Sequence, residues 1–209
     1  EGMLLQVFRR SGFMARERAA SLLGMGGVPA VMAELEFLSS DYTFATYVGA
    51  LIEQADLTED QAVDLVERST SRVDSDRYMA GILTAFAERH LDSDRGVDTF
   101  LSGVRTLESD RYRAQVLKQA MEGRSLSASQ VANLIDAVTE IESDRYVTEV
   151  LQAVATQYFL DPETRSTYMR AVASVESDRY RTELLSTLLD RSDLDADEKS
   201  DVLRAISQM

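Results

Sequence analysis

The apolar residues of this chain recur every three or four positions, which is the period of a helix buried along one face. Between residues 97 and 107 the apolar set is Val97, Phe100, Leu101, Val104 and Leu107. A half-buried strand would alternate apolar and polar residues instead. Short polar segments with helix-capping residues separate these stretches, so the pattern predicts helical hairpins throughout.

A four-residue word, Ser-Asp-Arg-Tyr, recurs at a fixed interval. It begins at Ser75, Ser109, Ser143 and Ser177, always 34 residues apart. A fixed period of this length is the signature of a repeat array. One hairpin cannot bury both of its apolar faces, whereas stacked hairpins can. We therefore expect an all-α fold, a right-handed α-solenoid of 34-residue helix-turn-helix repeats that forms one domain over residues 1–209.

The repeats follow a divergent N-terminal unit, and their expected bounds are 40–74, 75–108, 109–142, 143–176 and 177–209. In the N-terminal unit, residues 1–39, we expect Phe13 and Met14 to pack under a helix over 15–23. The glycine-rich stretch 24–27 should break that helix, and Pro29 suits the first turn of the next one. Terminal repeats lack one neighbour, so divergence there is expected.

Each of the four residues in the word suits a structural role. Ser is a natural N-cap, Asp favours the first helical turn, and Tyr should pack between hairpins. Because each Arg lies beside acidic residues, we expect a ladder of alternating Arg and carboxylate rungs along one edge of the array. The alternative is that the arginines bind a repeating anionic ligand. The residues of the expected ladder are Asp76, Arg77, Asp110, Arg111, Asp144, Arg145, Asp178 and Arg179.

Composition narrows the possible functions. The net charge of −14 argues against nucleic acid and anionic membrane surfaces, and it permits a basic partner, although solubility alone would explain it. The chain has no cysteine and one histidine, His90. A metal site, a cofactor site or a catalytic set is therefore not expected, and no apolar run is long enough to insert this segment in a membrane.

One aromatic pair departs from the repeat pattern. Tyr158 and Phe159 end a first helix where the other repeats carry polar residues. Partner specificity in a repeat protein can lie where a repeat differs from its neighbours, which makes this pair the candidate partner-binding site. Local packing is the alternative explanation.

The repeat length equals that of tetratricopeptide repeats, but their Trp-x-x-Leu-Gly-x-x-Tyr signature is absent. With Ser40-Asp41-Tyr42 and the stretch 26–31 ahead of them, the words resemble Ser-Asp-Tyr-type helical repeats. Such repeats occur in C-terminal extra-membrane regions of bacterial membrane proteins, including metallopeptidases of the antibiotic-sensor class. The resemblance carries no peptidase residues over, because the chain has no His-Glu-x-x-His segment.

We therefore expect a non-enzymatic scaffold that binds a protein or peptide. The alternative is a regulatory or sensory extra-membrane domain of a larger bacterial membrane protein. The sequence is compatible with either a cytoplasmic or a periplasmic location, and it does not identify the partner.

Overall fold

The computed structural model describes residues 3–191 and 194–207, and all regular structure in these ranges is α-helical. This confirms the all-α prediction. The helices are α1 (Met3–Ser11), α2 (Ala15–Leu35), α3 (Asp41–Gln54), α4 (Glu59–Thr70), α5 (Asp76–His90), α6 (Asp94–Thr106), α7 (Asp110–Met121), α8 (Ala128–Val138), α9 (Asp144–Gln157), α10 (Pro162–Ser174), α11 (Asp178–Leu189) and α12 (Ala196–Ser207).

The hairpins begin where the repeated word predicts. The first helix of each hairpin (α3, α5, α7, α9 and α11) begins at the aspartate that follows the serine. The second helices are α4, α6, α8, α10 and α12. Four of them carry side-chain N-caps at Thr58, Ser93, Ser127 and Asp161. Pro162 occupies the first turn of α10 behind the Asp161 cap, as expected.

The serines of the word stand at N-cap positions but do not cap with their side chains. Ser75, Ser109, Ser143 and Ser177 have extended backbone angles, yet no hydroxyl among them accepts a hydrogen bond from its helix. The hydroxyl of Ser40, in the first repeat, does accept one from the Thr43 N–H at 3.4 Å. The expected capping role of the four serine side chains is therefore wrong.

The N-terminal unit departs from a plain hairpin. Its long helix α2 contains a break at Gly27, where φ is 66° and ψ is −166°, two residues before Pro29. The predicted glycine break is thus present as a kink. Phe13 and Met14 do not pack under α2 as expected, because their side chains are 59% and 53% exposed.

The chain divides into two compact units, residues 1–108 and 109–209, at a boundary between two repeats. In the first unit α3 packs on α2 and α5, while α4 packs on α6. In the second unit α9 packs on α7 and α11, while α8 packs on α10. Each unit thus stacks first helices on first helices and second helices on second helices.

The core follows the apolar columns of the repeats. An apolar residue is buried shortly before each repeat begins, and these residues are Leu38, Val73, Leu107, Ile141 and Val175. The last repeat has Leu184, Leu185 and Leu188 in its core, whereas residues 192–193 and 208–209 lie outside the described ranges. None of the described helices has the length and apolar character needed to cross a membrane.

Candidate interaction surface

Four of the five aspartates that begin the first helices bind backbone N–H groups 32 to 34 residues further along the chain. Asp41 Oδ2 accepts hydrogen bonds from the N–H groups of Asp74 and Ser75, at 3.0 and 2.9 Å. Asp76 Oδ1 accepts one from Glu108 N–H at 3.1 Å. The carboxylate therefore satisfies the backbone at the point where the next hairpin begins.

The same contact recurs in the second unit. Asp110 Oδ2 accepts a hydrogen bond from Ser143 N–H at 2.8 Å. Asp144 accepts one from Ser177 N–H at 2.7 Å and another from Glu176 N–H at 3.2 Å. The periodic contact between neighbouring repeats is thus a carboxylate-to-backbone bond, and the word's aspartates point toward it.

The arginines of the word do not serve as rungs between these carboxylates. Among the described residues Arg77, Arg111 and Arg179 form no ion pair, and Arg145 pairs only with Glu149 of its own helix, at 3.1 Å. The reason is geometric, because consecutive residues on a helix point about 100° apart. When Asp faces the neighbouring repeat, the adjacent Arg faces solvent.

Each of these arginines lies over the ring of the tyrosine that follows it. The guanidinium carbon is 6.0 Å from the ring centroid for Arg77, 5.9 Å for Arg111, 5.4 Å for Arg145 and 5.7 Å for Arg179. The tyrosines are half-buried and the arginines exposed. The exposed edges of α5, α7, α9 and α11 therefore each carry an Arg–Tyr pair whose cation faces water.

The arginines of the first three words line grooves between neighbouring first helices. The groove between α7 and α9 is lined by Arg111, Lys118, Arg145, Tyr146 and Glu149. The groove between α3 and α5 carries Arg16, Glu53 and Arg77 around a floor of small residues that includes Gly49 and Gly81. A third groove, between α9 and α11, lies beside Phe159 and Arg191. We call these three the first-helix grooves.

The aromatic pair at the end of α9 has two different environments. Tyr158 is buried, and its hydroxyl donates a hydrogen bond to the Met121 carbonyl at 3.0 Å, while burial raises the pKa of the phenol. Phe159 is 69% exposed beside the α9–α11 groove. Tyr158 thus joins the ends of α9 and α7, and only Phe159 is positioned to meet a partner.

Further exposed apolar side chains lie in the N-terminal unit. Met25 and Phe37 are 76% and 59% exposed, and the Arg9 guanidinium lies 4.4 Å above the Phe37 ring. Arg9 also makes a two-pronged ion pair with Glu34, with both N–O distances at 2.7 Å. These apolar positions follow no repeat period, so the sequence pattern did not distinguish them from core positions.

The single histidine has a structural environment. The His90 ring lies 5.2 Å from the Phe86 ring, and its Nε2 atom is buried without a hydrogen-bond partner. Burial, followed by the charge of Arg89, lowers the pKa of the imidazole. Among the described residues no three His, Asp or Glu side chains are grouped to hold a metal ion.

Comparison with known proteins adds no identification: no family model matches the chain, and no curated protein or solved structure is significantly similar to it.

Proposed function

We propose that this chain is a non-catalytic scaffold that binds a protein or peptide in its first-helix grooves. One observation carries the proposal: the aspartates of the first three words bind the backbone at the repeat junctions, while the arginines of the same words remain exposed beside the grooves. An exposed guanidinium over an aromatic ring offers both a charge and a flat apolar face, which suits it to peptide recognition.

We also propose that the hairpins form a right-handed α-solenoid. The support is the packing within each unit, where first helices pack on first helices and second helices pack on second helices. Arrays of this kind bind partners along extended surfaces made of equivalent positions in successive repeats.

The α3–α5 groove provides further support. Gly49 and Gly81 lie within helices, and a Cβ atom added at either position would meet no atom within 4 Å. Glycine in a helix interior costs roughly 0.5–1 kcal/mol relative to alanine. No contact among the described residues requires glycine at these two positions. The glycines therefore reduce helix stability and leave open space in the groove.

A peptide-display selection on the full chain tests the proposal. Peptides recovered from a random library should bind the wild-type protein with micromolar affinity in calorimetry. Gly81→Leu fills the α3–α5 groove, and Ser102→Leu is the matched control, since it adds the same side chain to the groove between α4 and α6.

We expect Gly81→Leu to weaken peptides that bind in the α3–α5 groove by about tenfold or more, which corresponds to about 1.4 kcal/mol. Ser102→Leu should leave those affinities unchanged. Failure to recover any peptide would contradict the scaffold proposal, and sensitivity to Ser102→Leu alone would place binding on the second helices instead.

A further inference from the structure

The α7–α9 groove has an excess of positive charge, in contrast to the acidic chain as a whole. Three cationic side chains line it, Arg111, Lys118 and Arg145, against the single carboxylate of Glu149. The α3–α5 groove sets two cations against one carboxylate, and the α9–α11 groove is balanced between Asp190 and Arg191. The α7–α9 groove is therefore the most cationic of the first-helix grooves.

The carboxylates near this groove already have partners. Glu149 accepts hydrogen bonds from Lys118 at 2.8 Å and from Arg145 at 3.1 Å, and the bond from Lys118 is the main cause of its lowered pKa. Asp110 and Asp144 bind the backbone of the following repeats. One carboxylate therefore faces two of the cations, and Arg111 has no ion-pair partner within the described residues.

The spacing of the cations favours an extended ligand. Arg111 and Lys118 lie two turns apart on α7, about 10 Å at 1.5 Å per residue. Lys118 and Arg145 converge on the Glu149 carboxylate, whereas Arg111 forms no ion pair among the described residues. An extended peptide, which rises about 3.3 Å per residue, can place one carboxylate beside Arg111 and others beside Arg145.

We propose that the α7–α9 groove binds an extended acidic peptide segment, with Arg111 and Arg145 contacting its carboxylates. The proposal rests on the scaffold function above and names the chemistry of the partner. It departs from the basic partner that the net charge suggests, because the local charge of the groove is opposite to that of the chain. Planar guanidinium groups pair with carboxylates in a two-pronged geometry that matches this role.

A nucleic acid is a poorer fit for the same cations. Nucleic-acid surfaces carry broad basic patches, whereas the cations of this groove stand beside Glu149 in a chain of net charge −14. A long phosphate backbone would be repelled by the acidic chain as a whole. A short peptide can place its carboxylates on the cations alone.

The test measures fluorescence anisotropy of a labelled peptide of about ten residues, alternating Glu and Ser, which is long enough to cross the groove. The comparison probes are a Lys-Ser peptide and a single-stranded oligothymidine of the same length. The full chain is measured as wild type, as Arg111→Gln/Arg145→Gln, and as the control Arg165→Gln/Arg170→Gln. The control removes the same charge from α10, a second helix of the same unit.

We expect the Glu-Ser peptide to bind the wild type at about 50 mM salt and to weaken at about 300 mM, as screened ion pairs do. The groove double variant should lose about fivefold or more in affinity, and the control about twofold or less. Far-ultraviolet circular dichroism verifies that both variants keep the helical content of the wild type.

Three results would overturn the inference: no binding of the Glu-Ser peptide, equal losses in the two double variants, or tighter binding of oligothymidine or of the Lys-Ser peptide. The display selection separates this failure from that of the scaffold proposal. Selected peptides that bind a first-helix groove without acidic residues would leave the scaffold function standing and remove only the acidic partner.

Discussion

At the scale of single residues, the aspartate of each word has one task and the arginine beside it another. The Asp144 carboxylate accepts hydrogen bonds from the N–H groups of Glu176 and Ser177, which lie at the junction with the next repeat. Arg145 turns instead toward the groove and the Tyr146 ring. Of these two adjacent residues, the aspartate thus contributes to stability and the arginine to the exposed surface of the groove. Because their side chains diverge by about 100°, each can change without loss of the other's contact.

Replacing Asp144 with alanine should destabilise the protein by about 1 kcal/mol, because the half-buried Ser177 N–H and the exposed Glu176 N–H would lose their acceptor. Asp178→Ala is the matched control. Asp178 occupies the same position in its word, but its exposed side chain pairs with Arg181 of its own helix, a contact worth little. Urea unfolding of the two variants measures the difference. Equal losses would show that the contact between repeats contributes no stability.

At the scale of helices, glycines have different roles in first and second helices. Gly81 in α5 borders an open groove, where a new Cβ would meet nothing. Gly103 in α6 lies against α5, and a Cβ there would approach Leu83 Cδ2 to 2.5 Å. Gly96 is tighter still, since a Cβ would lie 1.9 Å from the His90 carbonyl oxygen. The glycines of α6 allow close packing, whereas Gly81 leaves space for something outside the chain.

Gly81→Ala should therefore stabilise the protein by roughly 0.5–1 kcal/mol, through the higher helix propensity of alanine. Gly96→Ala should destabilise it, because the His90 carbonyl and the start of α6 would have to move apart. Chemical denaturation of both variants measures the signs of these changes. A loss of stability in Gly81→Ala would mean that the chain itself uses the space beside that residue.

At the scale of the whole molecule, the sequence predicts repeated elements better than it predicts contacts between them. The helix starts at Asp76, Asp110, Asp144 and Asp178 follow from the word, and Asp161-Pro162 follows from local capping preferences. The partner of each aspartate could not be predicted, because it is a backbone group about 33 residues away and carries no side-chain signal. Tyr158 and Phe159 share one sequence anomaly, and only the fold separates the buried ring from the exposed one.

The division of the chain at a repeat boundary predicts how fragments will behave. Residues 109–209 hold three hairpins, about the minimum for a stable array, and their helices pack on one another. We expect this fragment to fold alone and to unfold cooperatively in urea. Residues 143–209 form the control, since this shorter fragment keeps α9 and α10 without α7 and α8, the helices on which they pack. This control should be less stable, because the apolar faces left uncovered would be exposed to water. If fragment 109–209 lacks helical structure by circular dichroism while the full chain is folded, the second unit depends on the first for its stability.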